Sequence, residues 1–493
     1  MTEMTRLGAS TNERVALHAA ERPRTVALIN GGQAISFAEL CRDIGKFAAA
    51  VRELGLAPGS TVAIGCEDIY AHWLLLLACE RLNLATASFD RMESPTSYGE
   101  LLASADLVLF DANFSLGAAA RHHPITEAWL RTTLARDDED NGSGVQYAPG
   151  DLMRIHRSSG STGRPKRLAI TRRMYELRVA GCAQRYQFAR ESRYMPSLSF
   201  SVGHIYYTST ACLRTGGTLV SVPTARGGAG VFADYGITHL SLQPLMLKQA
   251  LDDLPPDFAK PKELAVFAFG SPTSDELGSR ALERLATEVT ECFGCNEIGY
   301  VSGRRMTDRD GFATVADGIE VEVLDESGRT VPRGEPGRLR IRSESMVEGY
   351  LDDPETTRQF FKDGWFYPND VAILDGPRRL KILGRGDEMV NIAGGKLPPS
   401  DLEAIVMKHV GAGDAGICTL ANRDGIQEVY VAVANARLDP QELLARITRA
   451  FSGVPLGVFH VLILASIPRN PAGKIQRTLL KEAVAAAAGL KPR

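Results

Sequence analysis

Over the first two-thirds of the chain, short apolar runs alternate with longer stretches of mixed polarity. Ser36-Phe37-Ala38-Glu39 has the form of a capping box, in which a hydroxyl and a carboxylate three residues apart close a first helical turn reciprocally. It opens a helical pattern that runs to Leu54 and stops at Gly55. The runs at residues 61–64, 107–110, 218–222 and 265–269 are short and continuous, as buried strands in α/β layers are. From Ile319 the texture changes: residues 319–323 alternate cleanly, a turn follows at 325–328, and residues 338–342 alternate again. That is the pattern of half-exposed antiparallel strands. After Leu383 comes a charged, glycine-bearing stretch at 384–388, with Gly394-Gly395 close behind. A fresh set then begins with a helix at 401–410, where Ser400-Asp401-Leu402-Glu403 reads as a second capping box. Strands at 417–420, 429–433 and 458–464, a helix near 441–451 and an Ala-rich helix at 483–488 complete it. A boundary at about Leu383 divides the chain into domains 1–383 and 384–493.

The length of 493 residues agrees with that division, because one core does not serve a chain so long. A net charge of −3 offers no general attraction for nucleic acid or an anionic membrane. The longest apolar stretch, residues 73–79, is far short of a membrane span. No apolar secretory region opens the chain, and the eight cysteines form no disulfide framework, so a cytoplasmic location is expected. Cys292 and Cys295 have a Cys-x-x-Cys spacing, but no further ligands stand at fitting distances and the pair is read as coincidental.

The candidate chemistry lies in polar, glycine-bearing interruptions. Ser158-Ser159-Gly160-Ser161-Thr162-Gly163-Arg164-Pro165-Lys166 stands between two strand-like runs. Its glycines let the backbone fold back on a ligand, and its hydroxyls and N–H groups can converge on phosphate. It is not a Walker A loop, since no Gly-Lys-Ser/Thr follows at the right spacing. Phe293-Gly294-Cys295-Asn296-Glu297 puts a ring, a glycine and a carboxylate at a strand end. Asp370 interrupts an apolar run, Arg385 and Asp387 sit at the boundary, and 468–474 is a tight loop that presents Lys474. A phosphate loop, an aromatic face for a base, a carboxylate for Mg²⁺ and an Asp/Arg pair for a ribose together outline a nucleotide site, which a mobile lysine would complete.

In that order these segments resemble the adenylate-forming superfamily of acyl- and aryl-CoA synthetases, adenylation domains and luciferases, nearest to acid–CoA ligases. The similarity runs from about residue 12 to about residue 480. It implies an α/β fold: a large N-terminal domain of α/β subdomains with a small β-barrel-like part, then a small mobile C-terminal α+β domain. It implies that Ser158, Ser159, Gly160, Ser161, Thr162, Gly163 and Lys166 embrace the β- and γ-phosphates of ATP. Arg167 stands where the family usually has a glycine. Gly270, Ser271 and Pro272, after Phe269, would line the adenine and acyl pocket. Phe293 would stack on adenine beside Gly294, and Glu297 would hold Mg²⁺. Asn296 replaces the usual Thr, and Asp370 matches the ribose-binding Asp without its usual Thr-Gly. Arg385 would be the other ribose ligand, Asp387 the hinge, Lys474 the catalytic lysine, and Gly394, Gly395 and Lys396 part of a pantetheine tunnel.

The activity so implied is AMP-forming ligation of a carboxylic acid to CoA. Transfer to a carrier-protein phosphopantetheine is the alternative, and a non-catalytic nucleotide-binding regulator is a third reading. Phe200, Ser201, His204, Gln243, Phe269 and Gly270 are the acyl-pocket candidates. Ser201 stands where α-amino-acid enzymes place an Asp, so an uncharged acid, aromatic or short-to-medium aliphatic, is expected. Either Phe200 or His204 would be the aromatic gate.

Overall fold

The computed structural model describes the chain except residues 1–8, 91–94, 112–113, 115–120, 144, 159–165, 223–229, 387–389, 393–394, 398, 411–412, 422–426, 436–437, 452–458, 471–472 and 491–493. Ser36 caps the helix Phe37–Arg52 reciprocally with Glu39: the Glu39 N–H donates to Ser36 Oγ at 3.3 Å, and the Ser36 N–H to Glu39 Oε2 at 2.8 Å. Gly55, at φ +68°, takes the left-handed turn that lets the chain leave. The run at 73–79 lies in the helix Ile69–Arg81, which is buried from Ala71 onward, so its polarity shows no face. Among the described residues no helix is long and apolar enough to cross a membrane.

Two sheets organise the region before Arg385. A six-stranded sheet runs in the order His122–Pro124, Leu107–Phe110, Thr61–Gly65, Ala85–Ser88, Leu152–Ser158, Lys166–Thr171, parallel except for its last pair. A second, 15-stranded sheet is parallel through Val26–Asn30, Thr218–Ser221, Arg193–Pro196, His239–Leu242, Ala265–Phe269 and Glu288–Cys295. From Gly299–Arg305 it becomes antiparallel and takes in Ile319–Leu324 and Pro336–Ser343, around an apolar cluster of its own. One large core joins the sheets: Leu28 and Leu219 from one, Val62 and Leu109 from the other, and residues of the helices Ile69–Arg81, Arg172–Tyr186 and Gly203–Thr215.

The strand Arg379–Arg385 pairs with Asp370–Leu374 and carries this sheet two residues past Leu383. Beyond it, Asp414–Ala421, Gln427–Ala434 and Phe459–Leu464 form a separate three-stranded sheet. Helices Pro399–Val410 and Pro440–Ala450 cover one face and Arg477–Ala487 the other, each over its own cluster. Glu403 does not close a capping box. Its carboxylate pairs with Arg477 and accepts the Ile417 N–H at 2.9 Å, tying helix to sheet.

Candidate functional site

The phosphate-loop candidate is carried by a hairpin: Leu152–Ser158 pairs antiparallel with Lys166–Thr171, with Ser158 opposite Lys166. Ser159, Gly160, Ser161, Thr162 and Gly163 lie outside the described residues, as does the Ser158 side chain. Lys166 directs its ammonium over two rings, 4.8 Å from the centre of Tyr350 and 4.2 Å from that of Phe360. Burial lowers its pKa, while the carboxylates of Glu297 and Asp353 oppose that shift and Arg385 adds to it.

Glu297 follows the strand Glu288–Cys295, whose register slips between Phe293 and Gly294. A Cβ on Gly294 would fall 2.4 Å from the Gly299 carbonyl oxygen, so the turn admits only glycine there. Phe293 is half-buried against the antiparallel cluster. The Glu297 side chain is 6 % exposed, and the Tyr350 hydroxyl donates to its Oε1 at 3.0 Å. Burial, and then the adjoining Glu297 charge, raise the Tyr350 pKa and keep that phenol a donor. Asn296 donates from Nδ2 to the Arg157 carbonyl at 2.9 Å, so its amide is tied to the strand that leads into the phosphate loop.

Arg178, on the helix Arg172–Tyr186, clamps this turn from behind. It donates to the carbonyls of Ser345 (2.8 Å), Asn296 (3.0 Å) and Glu297 (3.2 Å) and to the Tyr207 hydroxyl (3.3 Å), and is 4 % exposed. Val347 N–H also donates to the Glu297 carbonyl, at 2.9 Å. Asp370 and Arg385 face each other across paired strands, with Asp370 8 % exposed. Asn369, at φ +68°, accepts the Gly386 N–H at 2.7 Å and turns the chain beside them. The Arg385 charge is felt at Lys166 and at Tyr350. Lys166, Glu297 and Arg385 thus share one electrostatic neighbourhood.

The acyl-pocket candidates divide. Phe200 is fully buried in the main core, 4.6 Å from the Trp73 ring and 5.3 Å from that of His72. His204 instead packs at a tilt against Phe269, ring centres 4.5 Å apart, and its Nε2 lies 2.7 Å from the Tyr186 hydroxyl, itself 2.9 Å from Ser241 Oγ. Burial, with a smaller contribution from Arg185, pushes the His204 pKa down to about 3, so the ring is neutral. Of the two residues proposed as a gate, His204 is therefore the one next to Phe269. Ser201 Oγ is 2.8 Å from Ser199 Oγ. Gln243 is buried at the start of the helix Pro244–Asp252, and a Cβ on Gly270 (φ +89°) would lie 3.6 Å from its Nε2. Ser271 is half-buried and Pro272 exposed.

Lys474 is exposed on a tight turn in which its N–H donates to Asn470 Oδ1 at 2.9 Å and Gly473 sits at φ +71°. Among the described residues no hydrogen bond or ion pair joins its side chain to Glu297, Asp370 or Arg385. Asp387 and Gly394 lie outside the described residues. Gly395 and Lys396 belong to a two-stranded hairpin, opposite Ile392 and Asn391. Sequence reasoning missed Tyr350, Arg178 and Arg185. The arginines carried a signal: Tyr175, Val179, Cys182 and Tyr186 mark the buried stripe of their helix, and positions 178 and 185 border it.

Comparison with known proteins bears on what this neighbourhood does. A family model described as AMP-binding enzyme matches residues 15–351. The chain is 26% identical over 518 residues to 4-coumarate–CoA ligase 3 of Oryza sativa subsp. japonica, covering 94% of this chain and 92% of that protein. It is 22% identical to the fatty acid–[acyl-carrier-protein] ligase ScoC of Streptomyces coeruleorubidus, over 95% of each. In fold it matches o-succinylbenzoate CoA synthetase of Bacillus subtilis with a TM-score of 0.84 at 17% identity, covering 95% of this chain and 97% of that one.

Proposed function

The chain belongs to the AMP-binding enzyme family, and we propose that it works there as an acid–thiol ligase: it activates a carboxylic acid with ATP as an acyl-adenylate and passes the acyl group to CoA. The observation that carries this reading is the meeting of Lys166, Glu297 and Arg385, with Asp370 opposite Arg385, beside the phosphate-loop hairpin.

In the first half-reaction the substrate carboxylate oxygen attacks the α-phosphorus of ATP, and the bond to the bridging oxygen breaks to release pyrophosphate. Two anions must approach, so fixed positive charge and aligned donors lower the barrier most. The 158–166 loop with Lys166 grips the leaving phosphates, and Lys474 bridges the carboxylate and the α-phosphate. Phe293, Gly294, Gly270, Ser271 and Pro272 border the base, Asn296 reaches the acyl-phosphate region, and Asp370 and Arg385 hold the ribose. Mg²⁺, when bound, offsets phosphate charge. Glu297 fits it, because Tyr350 fixes Oε1 and leaves the other carboxylate oxygen to a cation. Among the described residues no cluster of three metal-ligating side chains offers another place.

In the second half-reaction the thiol sulfur attacks the acyl carbonyl, AMP leaves, and the thiol proton is lost. The C-terminal domain, which begins after Arg385, turns about Asp387, withdraws Lys474 and brings Gly394, Gly395 and Lys396 to the pantetheine arm. The separate apolar clusters on the two faces of its small sheet support a unit that moves as a body. A carrier-protein acceptor is the second reading, favoured by the end-to-end similarity to an acyl-carrier-protein ligase.

ATP–pyrophosphate exchange across a panel of acids, followed by AMP release with and without CoA, tests both. Exchange with at least one acid and CoA-dependent AMP release are expected. Exchange with none refutes the ligase, and acyl transfer only to a carrier protein moves the assignment to the second reading.

A further inference from the structure

Arg185 has no part in the mechanism above, yet it sits where the acyl-pocket elements meet. Its guanidinium carbon is 3.8 Å from the centre of the Tyr300 ring, and Tyr300 follows Gly299 directly. Among the described residues one terminal nitrogen reaches only Cys182 Sγ, a weak acceptor 3.6 Å away, and Nε is buried with no hydrogen-bond partner. Its charge is felt by His204, by Cys292 and by Tyr300. The Tyr300 ring therefore packs on a guanidinium that has no carboxylate partner among the described residues and whose charge reaches the pocket candidate His204.

Elsewhere the chain neutralises such a group. Arg214, also on a buried helix face, pairs with Glu176 and lies 3.9 Å from Glu80. A partly buried guanidinium left without an anion is costly unless something else supplies the anion. Arg185 also stands seven residues beyond Arg178 on one helix, about 10 Å further along it. Arg178 grips the backbone of Glu297, where the activated carboxylate would react.

We propose that Arg185 anchors a second anionic group of the acid, a carboxylate or sulfonate at the end remote from the carboxylate that is activated. This rests on the ligase reading and narrows it: the substrate class is a dianionic acid instead of the uncharged acid expected from Ser201. The guanidinium fork matches an oxyanion in two parallel bonds. His204, neutral and within reach of the Arg185 charge, can add a hydrogen bond through Nδ1 without adding charge, its Nε2 being taken up by Tyr186.

The test compares matched acids in ATP–pyrophosphate exchange: adipate with hexanoate, suberate with octanoate, terephthalate with 4-methylbenzoate, and 4-sulfobenzoate with the last. Wild type is expected to favour the dianionic member by roughly 10- to 100-fold in kcat/KM. In Arg185→Gln the ratio should collapse to within about threefold of one, and Arg185→Lys, which keeps the charge without the fork, should fall between. A retained thermal shift on adding ATP shows that each variant is folded. Preference for the neutral members in wild type, or an equal loss for both members in the glutamine variant, overturns the proposal. Exchange with no acid at all would instead refute the ligase reading, whereas exchange confined to neutral acids refutes this inference alone.

Discussion

Arg178→Met removes the clamp behind Glu297 while keeping much of the aliphatic volume. Arg178 donates to three carbonyls and one phenol. After the substitution the Glu297 carbonyl still has the Val347 N–H, but the Ser345 and Asn296 carbonyls lose the only donors they have among the described residues. Leaving a buried acceptor unsatisfied costs about 1–3 kcal/mol, so two cost roughly 2–6 kcal/mol. The guanidinium no longer has to be desolvated, which offsets part of this and leaves a net loss of about 2–4 kcal/mol. In a unit that runs to Arg385 that is a fall in Tm of roughly 2–5 °C. The activity consequence is separate. The freed turn carries Glu297 and Asn296, and a displacement of about 1 Å at a reacting centre costs on the order of 100-fold. Exchange measured well below the lowered Tm should show kcat down by about that factor and a higher apparent Mg²⁺ requirement. Arg178→Lys, with one compact donor head, should recover part of both. A Tm within about 1 °C of wild type would refute the hydrogen-bond argument. A lowered Tm with unchanged kcat and Mg²⁺ dependence would refute the positioning of Glu297 and leave Arg178 a purely structural residue.

Three further outcomes are expected. Tyr350→Phe keeps the ring under Lys166 and removes only the hydroxyl bound to Glu297, and should lower adenylation kcat/KM by about tenfold with little change in Tm; an unchanged rate would show that Glu297 needs no such anchor. Lys474→Ala should cripple ATP–pyrophosphate exchange yet leave thioester formation from supplied acyl-adenylate within a few-fold of wild type, and equal loss in both would contradict rotation of the C-terminal domain. His72, 2 % exposed, has its pKa lowered from 6.5 to about 3 by burial first and the Arg154 charge second. The unfolded chain therefore binds a proton that the folded one refuses between those values, and stability falls as pH drops below about 6.5, by on the order of 2 kcal/mol at pH 5. Denaturant titration of wild type and His72→Gln should show the variant's pH slope shallower there, and parallel slopes would place the titration elsewhere.

What could be read from the chain beforehand follows from where each signal is stored. The strands Leu107–Phe110 and Ala265–Phe269 begin and end where their apolar runs do, because both faces are covered and nothing polar can continue them. The hairpin at the phosphate loop outgrew its apolar part: Lys166 and Arg167 pair with Ser158 and Arg157, and a ladder of backbone bonds does not need apolar side chains. Glu297 was visible at a strand end, Asp370 as a polar interruption of an apolar run, and Arg385 in the charged stretch at the boundary. Arg178, Arg185 and Tyr350 were not, because a helical arginine ordinarily reads as a solvated face and a lone tyrosine as packing. Glu403 shows the same limit: its spacing matched a capping box, but its partner is Arg477, 74 residues on, and no local pattern encodes that.

Arg154, Arg178 and Arg185 together say something that none says alone. Arg154 is fully buried on the strand that leads into the phosphate loop, donating to Thr86 Oγ1 at 3.0 Å, Ser88 Oγ at 2.8 Å and the Phe200 carbonyl, with Tyr206 beneath it. Like the other two it has no carboxylate partner among the described residues, whereas Arg214, Arg304 and Arg477, away from the site, pair with Glu176, Glu291 and Glu403. Hydroxyls and carbonyls fill the positions a carboxylate could take around Arg154 and Arg178, whereas Arg185 has the Cys182 thiol and the Tyr300 ring. A guanidinium bonded only to neutral acceptors is held in place while its charge stays uncompensated. At an effective dielectric of about 20, such a charge roughly 8 Å from an incoming anion is worth about 2 kcal/mol. After burial itself, Arg154 and then Arg178 and Arg157 help to hold His156 neutral, so their field does converge on the strand Leu152–Ser158. A carboxylate paired directly with one of them would cancel its charge; the Glu297 carboxylate instead bonds to Tyr350, while Arg178 holds only the Glu297 backbone. Their neutral surroundings are what a site for two anions requires, and the desolvation cost of these arginines is offset only when those anions arrive.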